Sequence, residues 1–179
     1  MGLEKFCPKE KVKNKILILF FVGYVSFGFG QKNKERDYGY YESLNLGIGY
    51  NYSFGESNKK NFHLLDIGIN KTNYGGIHGG GYQYGIGTEI GINTSKFTVG
   101  PKISGVFYYQ FIAFGTELIT YTDFDNWTLR LVPFIGIGGE KFKLTVNPHL
   151  ILTNKNFQPV NKGLVNLTVN LSLKRKKVK

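Results

Sequence analysis

Five charged residues lie singly in stretches where apolar side chains otherwise alternate with small polar ones. They are Asp66, Glu89, Lys102, Glu117 and Arg130. Acids and bases of this kind can form ion pairs, which persist in a protein interior only when both charge and hydrogen bonds are satisfied. The midpoint between each residue and the next falls in a predicted turn, so antiparallel pairing would place them opposite one another. We therefore predict an inward belt of charges, with Lys143 or His149 offsetting its extra negative charge.

The residue types and spacings indicate no catalytic, metal or cofactor site. Histidine occurs only at His63, His78 and His149, and none has a serine partner or a second ligand at metal-binding spacing. The stretch GGIHGGGYQYGIG lacks the glycine motifs that bind phosphate. We expect no catalytic residue, no metal and no cofactor. Of the three histidines, His149 is the one that alternation directs inward.

The segment GYQYGIGTEIGIN, residues 81–93, shows the element that must position these charges. Bulky apolar or aromatic residues occupy nearly every second position, with glycine or polar residues between them. A period of two is typical of a strand, whose successive side chains point to opposite faces. Glycine in a strand often marks a site where other atoms approach the backbone closely. The glycines here share a face with the polar residues, so the polar face is the crowded one. This pattern predicts a sheet closed around its polar face, as in a transmembrane barrel.

Eight segments share this alternation. They cover residues 44–54, 65–70, 81–93, 97–104, 111–121, 129–137, 142–150 and 165–173. Their number and length predict an all-β fold, an eight-stranded antiparallel up-and-down transmembrane β-barrel. Pro101, Pro133 and Pro148 are the weakest points of the assignment, because proline cannot donate to a strand ladder.

The N-terminus differs from the rest of the chain. Four lysines between Lys9 and Lys15 precede an apolar run over 16–29, which predicts a cleavable signal peptide over 1–30. A membrane anchor helix is the alternative, although the run is short for a span. Cys7, the only cysteine, would leave with the signal. We expect a polar leader over 31–42, the barrel over 43–173 and a solvated basic tail over 174–179.

Cleavage would leave 18 bases against 10 acids, a formal net charge of +8. A basic balance of this size attracts anionic lipid headgroups or nucleic acid. We expect no nucleic-acid partner, because an exported barrel rarely meets nucleic acid.

With its signal, strand count and alternation, the chain resembles the small outer-membrane β-barrel proteins of Gram-negative bacteria over residues 16–173. The resemblance implies a place in the cell outer membrane. The partners it implies are outer-membrane lipids, lipopolysaccharide and the barrel-insertion machinery. Such barrels commonly end in an aromatic residue, whereas here Leu171 and Leu173 are followed by KRKKVK. This departure concerns the route of insertion rather than the architecture.

The sequence favours a non-enzymatic barrel with a structural or surface role, its lumen plugged by the charged belt. Three alternatives stay open: a lipid-modifying outer-membrane enzyme, a narrow solute pore, and a soluble lipocalin-like carrier with its apolar face inward. An even strand number would place both termini in the periplasm. The outward loops would then be 55–61, 94–96, 122–126 and 154–162.

Overall fold

The computed structural model describes residues 39–55 and 60–178, and this part of the chain is all β. Its strands are β1 (Tyr40–Phe54), β2 (Phe62–Gly75), β3 (Gly80–Gly91), β4 (Val99–Tyr109), β5 (Ile112–Thr122), β6 (Trp127–Gly138), β7 (Phe142–Pro148), β8 (Leu150–Ile151) and β9 (Gly163–Val178). Over the described ranges, no helix is long and apolar enough to cross a membrane. The predicted signal peptide lies outside the described residues.

The strands close into a single antiparallel barrel. Successive strands from β1 to β6 are neighbours, β7 pairs with both β6 and β9, and β9 pairs with β1. The segment β8 continues the line of β7 along β6, so nine segments occupy eight barrel positions. The predicted eight-stranded antiparallel barrel is therefore confirmed.

Two prolines explain why the seventh strand is interrupted. Strand β6 pairs with β7 through residues 135–138 and with β8 through residues 130–131, and the stretch between them forms no ladder. Pro133 lies in this stretch of β6, which pairs with β5 but not with β7 or β8, and Pro148 ends β7. Neither proline has a backbone N–H group to donate. An interruption of the ladder at these residues therefore leaves few N–H groups without a hydrogen-bond acceptor.

Strands β1 and β9 extend further than the sequence predicts. Tyr40 to Glu42 belong to β1 rather than to a leader, and Lys174 to Val178 belong to β9 rather than to a tail. The two extensions pair with each other, with a bulge at Leu44 and Asn45. Barrel closure thus gives the basic run a backbone partner, although its side chains remain exposed.

The two ends of the barrel are built differently. The loop end carries the connections β1–β2, β3–β4, β5–β6 and β8–β9. The turn end carries β2–β3, β4–β5 and β6–β7, together with the described chain ends at Tyr40 and Val178. The β2–β3 turn contains Gly76 and Gly79 at φ of 76° and 63°, a backbone region that glycine enters without steric cost.

Apolar side chains face outward from the barrel and polar ones face inward. Ile86 and Ile103 are 68% and 57% exposed, whereas Glu89 and Arg130 are 1% and 0% exposed. An inward apolar face, as the lipocalin-like alternative requires, is therefore wrong for this chain. Strand periodicity keeps each side chain on its face, because a shift of one residue would move every side chain to the other face.

The interior also contains two apolar clusters that the sequence pattern did not predict. The first includes Phe62, Leu64 and Ile119 near the loop end, and the second includes Val106 and Phe134 near the turn end. The charged residues of β2 to β5 lie between them along their strands. Each apolar cluster therefore occupies part of the lumen, one nearer each end, beside buried polar side chains such as Thr72 and Asn51.

Candidate functional site in the barrel interior

Lys102 is the centre of a group of buried charges. It lies on β4 and faces inward, and its Nζ is 2.9 Å from Asp66 Oδ2, 3.0 Å from Glu89 Oε1 and 3.2 Å from Glu117 Oε2. An ammonium group has three donors, so one lysine satisfies one oxygen on each of three acids from three other strands. Four of the residues predicted for the belt therefore meet in one site.

Each carboxylate in this group has a further polar neighbour. Lys143 Nζ lies 3.6 Å from Glu117 Oε1. The Tyr121 hydroxyl donates to Glu89 Oε2 at 2.5 Å, and Asn166 Nδ2 donates to Asp66 Oδ2 at 3.4 Å. We call Asp66, Glu89, Lys102, Glu117 and Lys143 the charge network. It contains three acids and two bases, so its formal charge is −1.

The strand register differs from the predicted one at three of the four pairs. Asp66 lies opposite Glu89, as predicted. The other strands instead place Gly100 opposite Glu89, Ile119 opposite Lys102, and Val132 opposite Glu117. Each shift is two residues, which keeps a side chain on the same face. Lys102 therefore reaches its acids diagonally rather than directly across the strands.

Arg130 and His149 form a separate cluster, which corrects their predicted place in the belt. Arg130 Nη1 donates to the carbonyl oxygens of Val160 and Asn161 at 3.1 Å and lies 3.3 Å from His149 Nδ1. Within the described residues, neither Arg130 Nε and Nη2 nor His149 Nε2 has a hydrogen-bond partner. No ion pair joins Arg130 to a described acid.

Tyr121 lies between the two groups. Its ring centroid is 5.2 Å from the Arg130 guanidinium carbon and 5.9 Å from the His149 ring, while its hydroxyl binds Glu89. A cation over an aromatic face is stabilised by the ring quadrupole. Arg130 is therefore coupled to the charge network through a tyrosine instead of through an acid.

An amide layer on the turn-end side of the charge network was not predicted. Asn45 Nδ2 donates to Asn70 Oδ1 at 3.0 Å, Asn70 Nδ2 donates to Asn170 Oδ1 at 3.0 Å, and Asn170 Nδ2 donates to Gln83 Oε1 at 3.2 Å. Alternation already placed these side chains inward, but their contacts depend on the closure of β9 against β1. Pairing each strand only with the next one along the chain, as the sequence analysis did, could not have placed residues 45 and 170 near each other.

The charge network and the amide layer line a small cavity. The cavity they line, together with glycines of β1 to β3, has a volume of about 30 Å³, room for one or two water molecules. A Cβ on Gly47 would lie 3.2 Å from Asn70 Nδ2, and one on Gly100 would lie 2.7 Å from the Tyr121 ring. The inward glycines thus provide space for the large polar side chains.

The remaining histidines lie apart from this interior. His63 is at the loop end of β2, where its ring contacts the Tyr50 hydroxyl, and His78 is in the β2–β3 turn. Across 39–55 and 60–178, no group of three histidine, cysteine or acidic residues is arranged to hold a metal ion. The interior geometry provides mutual neutralisation and rigid positioning of side chains.

The fold and this interior define the class of the protein as a closed eight-stranded antiparallel barrel with buried, ion-paired charges. No protein-family model, curated protein or solved structure matches the chain.

Proposed function

We propose that this chain is an integral β-barrel of the Gram-negative outer membrane with a structural or surface role, and that its interior side chains plug the lumen. One observation carries the proposal: the outward face of the barrel is apolar. Ile69, Ile86, Ile103 and Ile135, from four strands, are all at least half exposed. In water they would form a contiguous apolar surface far larger than monomeric proteins usually expose, whereas lipid would cover it favourably.

The strand lengths support a membrane span. Strand β5 has 11 residues, which at about 3.3 Å per residue extend over about 36 Å. A tilt of about 45° reduces this to about 26 Å along the barrel axis, close to the height of the apolar band of outer-membrane barrels. The outward side chains of β5 from Ile112 to Thr120 carry no charge.

Aromatic side chains flank the apolar band at both ends. Tyr82, Tyr84, Phe107 and Tyr109 face outward near the turn end, and Tyr50, Phe97, Phe124 and Trp127 are exposed near the loop end. Aromatic residues gather at the two membrane–water interfaces, where one part of the ring system meets lipid and another meets water. Their positions in this barrel agree with a bilayer between the two rings.

The filled interior supports a structural rather than a transport role. A cavity of about 30 Å³ lies at the charge network, and buried apolar side chains pack in the lumen nearer each end. An eight-stranded barrel is just wide enough for side chains to fill. Outer-membrane lipids, lipopolysaccharide and the barrel-insertion machinery are the partners this proposal implies, with the loop end at the cell surface and both termini in the periplasm.

Cell fractionation and gel electrophoresis together test the proposal. We expect the mature protein in the outer-membrane fraction, with a gel mobility that changes between unheated and boiled samples because a closed barrel resists unfolding in detergent. A mature protein that stays in the periplasmic fraction and shows no mobility shift would refute the membrane proposal.

A further inference from the structure

Three lysines point outward where the apolar band ends at the turn end of the barrel. Lys71 on β2 and Lys174 on β9 both lie opposite Leu44 of β1, on either side of it. Lys176 lies opposite Glu42, one outward position beyond Leu44. Three adjacent strands therefore bring their lysines to one patch of the outer surface, which we call the lysine patch.

The positive charge of the lysine patch is only partly neutralised. Lys71 Nζ lies 2.6 Å from Glu42 Oε1, and Lys176 Nζ lies 2.8 Å from Glu42 Oε2, so one acid forms ion pairs with two lysines. Lys174 makes no ion pair with a residue of 39–55 or 60–178. Three bases and one acid give the patch a formal charge of +2. The patch thus has capacity for a further anion, and Lys174 is the cation with no described partner.

An apolar trough begins at the lysine patch and runs along the outer surface. A groove of about 290 Å³ is lined by Glu42, Leu44 and the three lysines. It shares Leu44 and Lys71 with a second groove of about 400 Å³, which in turn shares Ile69, Ile86 and Ile103 with a third of about 610 Å³.

A glycine adjoins the trough. Lys71, Tyr84 and Gly105 lie in one row across β2, β3 and β4, and nothing lies within 4 Å of where a Cβ of Gly105 would be. Tyr84 lines the second groove, and Gly105 contributes no side chain beside it.

We propose that the lysine patch and the trough together bind an anionic phospholipid. The phosphate contacts Lys71, Lys174 and Lys176, because ammonium groups are strongly attracted to phosphate oxygens. One acyl chain lies along Ile69, Ile86 and Ile103. A phospholipid fits both parts, since it joins an anion directly to a hydrocarbon chain. This inference rests on the proposed membrane location.

Spin-labelled lipids provide the test. The wild-type protein is reconstituted in phosphatidylcholine vesicles with a trace of spin-labelled phosphatidylglycerol or spin-labelled phosphatidylcholine, and electron spin resonance measures the lipid immobilised by the protein. We expect wild type to prefer phosphatidylglycerol. The Lys71→Gln/Lys174→Gln variant should lose about fivefold of that preference for each lysine that contacts the phosphate, and so about 30-fold if both do.

A matched control removes the same charge from the other end. Lys155 and Lys162 are exposed in the β8–β9 connection at the loop end, so Lys155→Gln/Lys162→Gln should retain the wild-type preference. Gly105→Leu keeps every lysine but adds a bulky side chain beside Tyr84, which lines the trough, and it should also reduce phosphatidylglycerol binding. This variant tests the site independently if Lys71→Gln/Lys174→Gln fails to close into a barrel.

The outcomes separate the inference from the proposed function. Insertion of wild type without a preference for phosphatidylglycerol would overturn the lipid site and leave the membrane barrel intact. An equal loss in the loop-end control would show that net charge, not the patch, attracts the lipid. If the protein forms dimers in phosphatidylcholine vesicles and the dimer interface covers the trough, then a second copy of the chain occupies the trough and the lipid proposal is wrong. Failure to insert into any vesicle would refute the proposed function itself.

Discussion

Replacing Lys102 with methionine removes the one cation that contacts all three acids of the charge network. Lys102 lies within 3.2 Å of oxygens from Asp66, Glu89 and Glu117. Methionine occupies a similar volume, so the substitution removes charge and donors while leaving little cavity. The formal charge of the network changes from −1 to −2 in a site where side chains are less than a tenth exposed.

The expected cost follows from the burial of these groups. Removing one partner of a buried ion pair leaves an uncompensated charge and destabilises a protein by about 3–5 kcal/mol. We expect a loss in this range for Lys102→Met. Adding Glu89→Gln should recover part of it, with a coupling of about 0.5–3 kcal/mol between the two positions, because the neutral amide still accepts from the Tyr121 hydroxyl.

Urea unfolding in lipid vesicles measures these free energies. Trp127 is the only tryptophan and lies at the first residue of β6, so its fluorescence reports barrel opening. Lys155→Met in an exposed connection is the control and should change the free energy of unfolding by less than about 0.5 kcal/mol. If Lys102→Met behaves like this control, or if Glu89→Gln does not reduce its effect, the charge network does not stabilise the barrel.

Two further predictions concern the filled lumen. The purified protein in a planar bilayer should give no stable ohmic conductance, because the charge network leaves a cavity of only about 30 Å³ and the apolar clusters around Phe62 and Phe134 pack in the lumen nearer each end. Steady conductance would contradict the plug. Gly100→Ala should lower the free energy of unfolding by about 1–3 kcal/mol, since its Cβ would meet the Tyr121 ring at 2.7 Å, whereas Gly105→Ala on the same strand enters open space. Equal urea midpoints for the two glycine variants would show that the interior is not closely packed at Tyr121.

The inward side chains were predictable because the strand period fixes the face of each residue. Asp66, Glu89, Lys102 and Glu117 all face the interior, as alternation indicated. Their contacts were less predictable, since the pairing of strands depends on how many residues each turn consumes. A register shift of two residues keeps each side chain on the same face of the sheet but changes the residue opposite it. Arg130 therefore lies away from the acids.

The extension of β9 and the amide contacts could not be predicted from the sequence, because both depend on closure of the barrel. Strand β9 continues through Lys174 to Val178, although a basic run has none of the apolar alternation that signals a strand. Its backbone partners are in β1, more than a hundred residues earlier. The contacts among Asn45, Asn70 and Asn170 depend on that same closure. Such contacts follow from the tertiary structure rather than from a local pattern.

A spin label at Ile86 tests most directly whether the apolar outer face contacts lipid. This side chain is 68% exposed at mid-barrel on β3, and Ser95 is exposed in the following connection. Nitroxides would be attached to Ile86→Cys and Ser95→Cys in a Cys7→Ser background, in protein reconstituted in vesicles. We expect the label at Ile86 to relax with oxygen dissolved in the bilayer and not with a water-soluble nickel chelate, and the label at Ser95 to do the reverse. Relaxation of the Ile86 label by the nickel chelate, to the same extent as at Ser95, would contradict the membrane barrel.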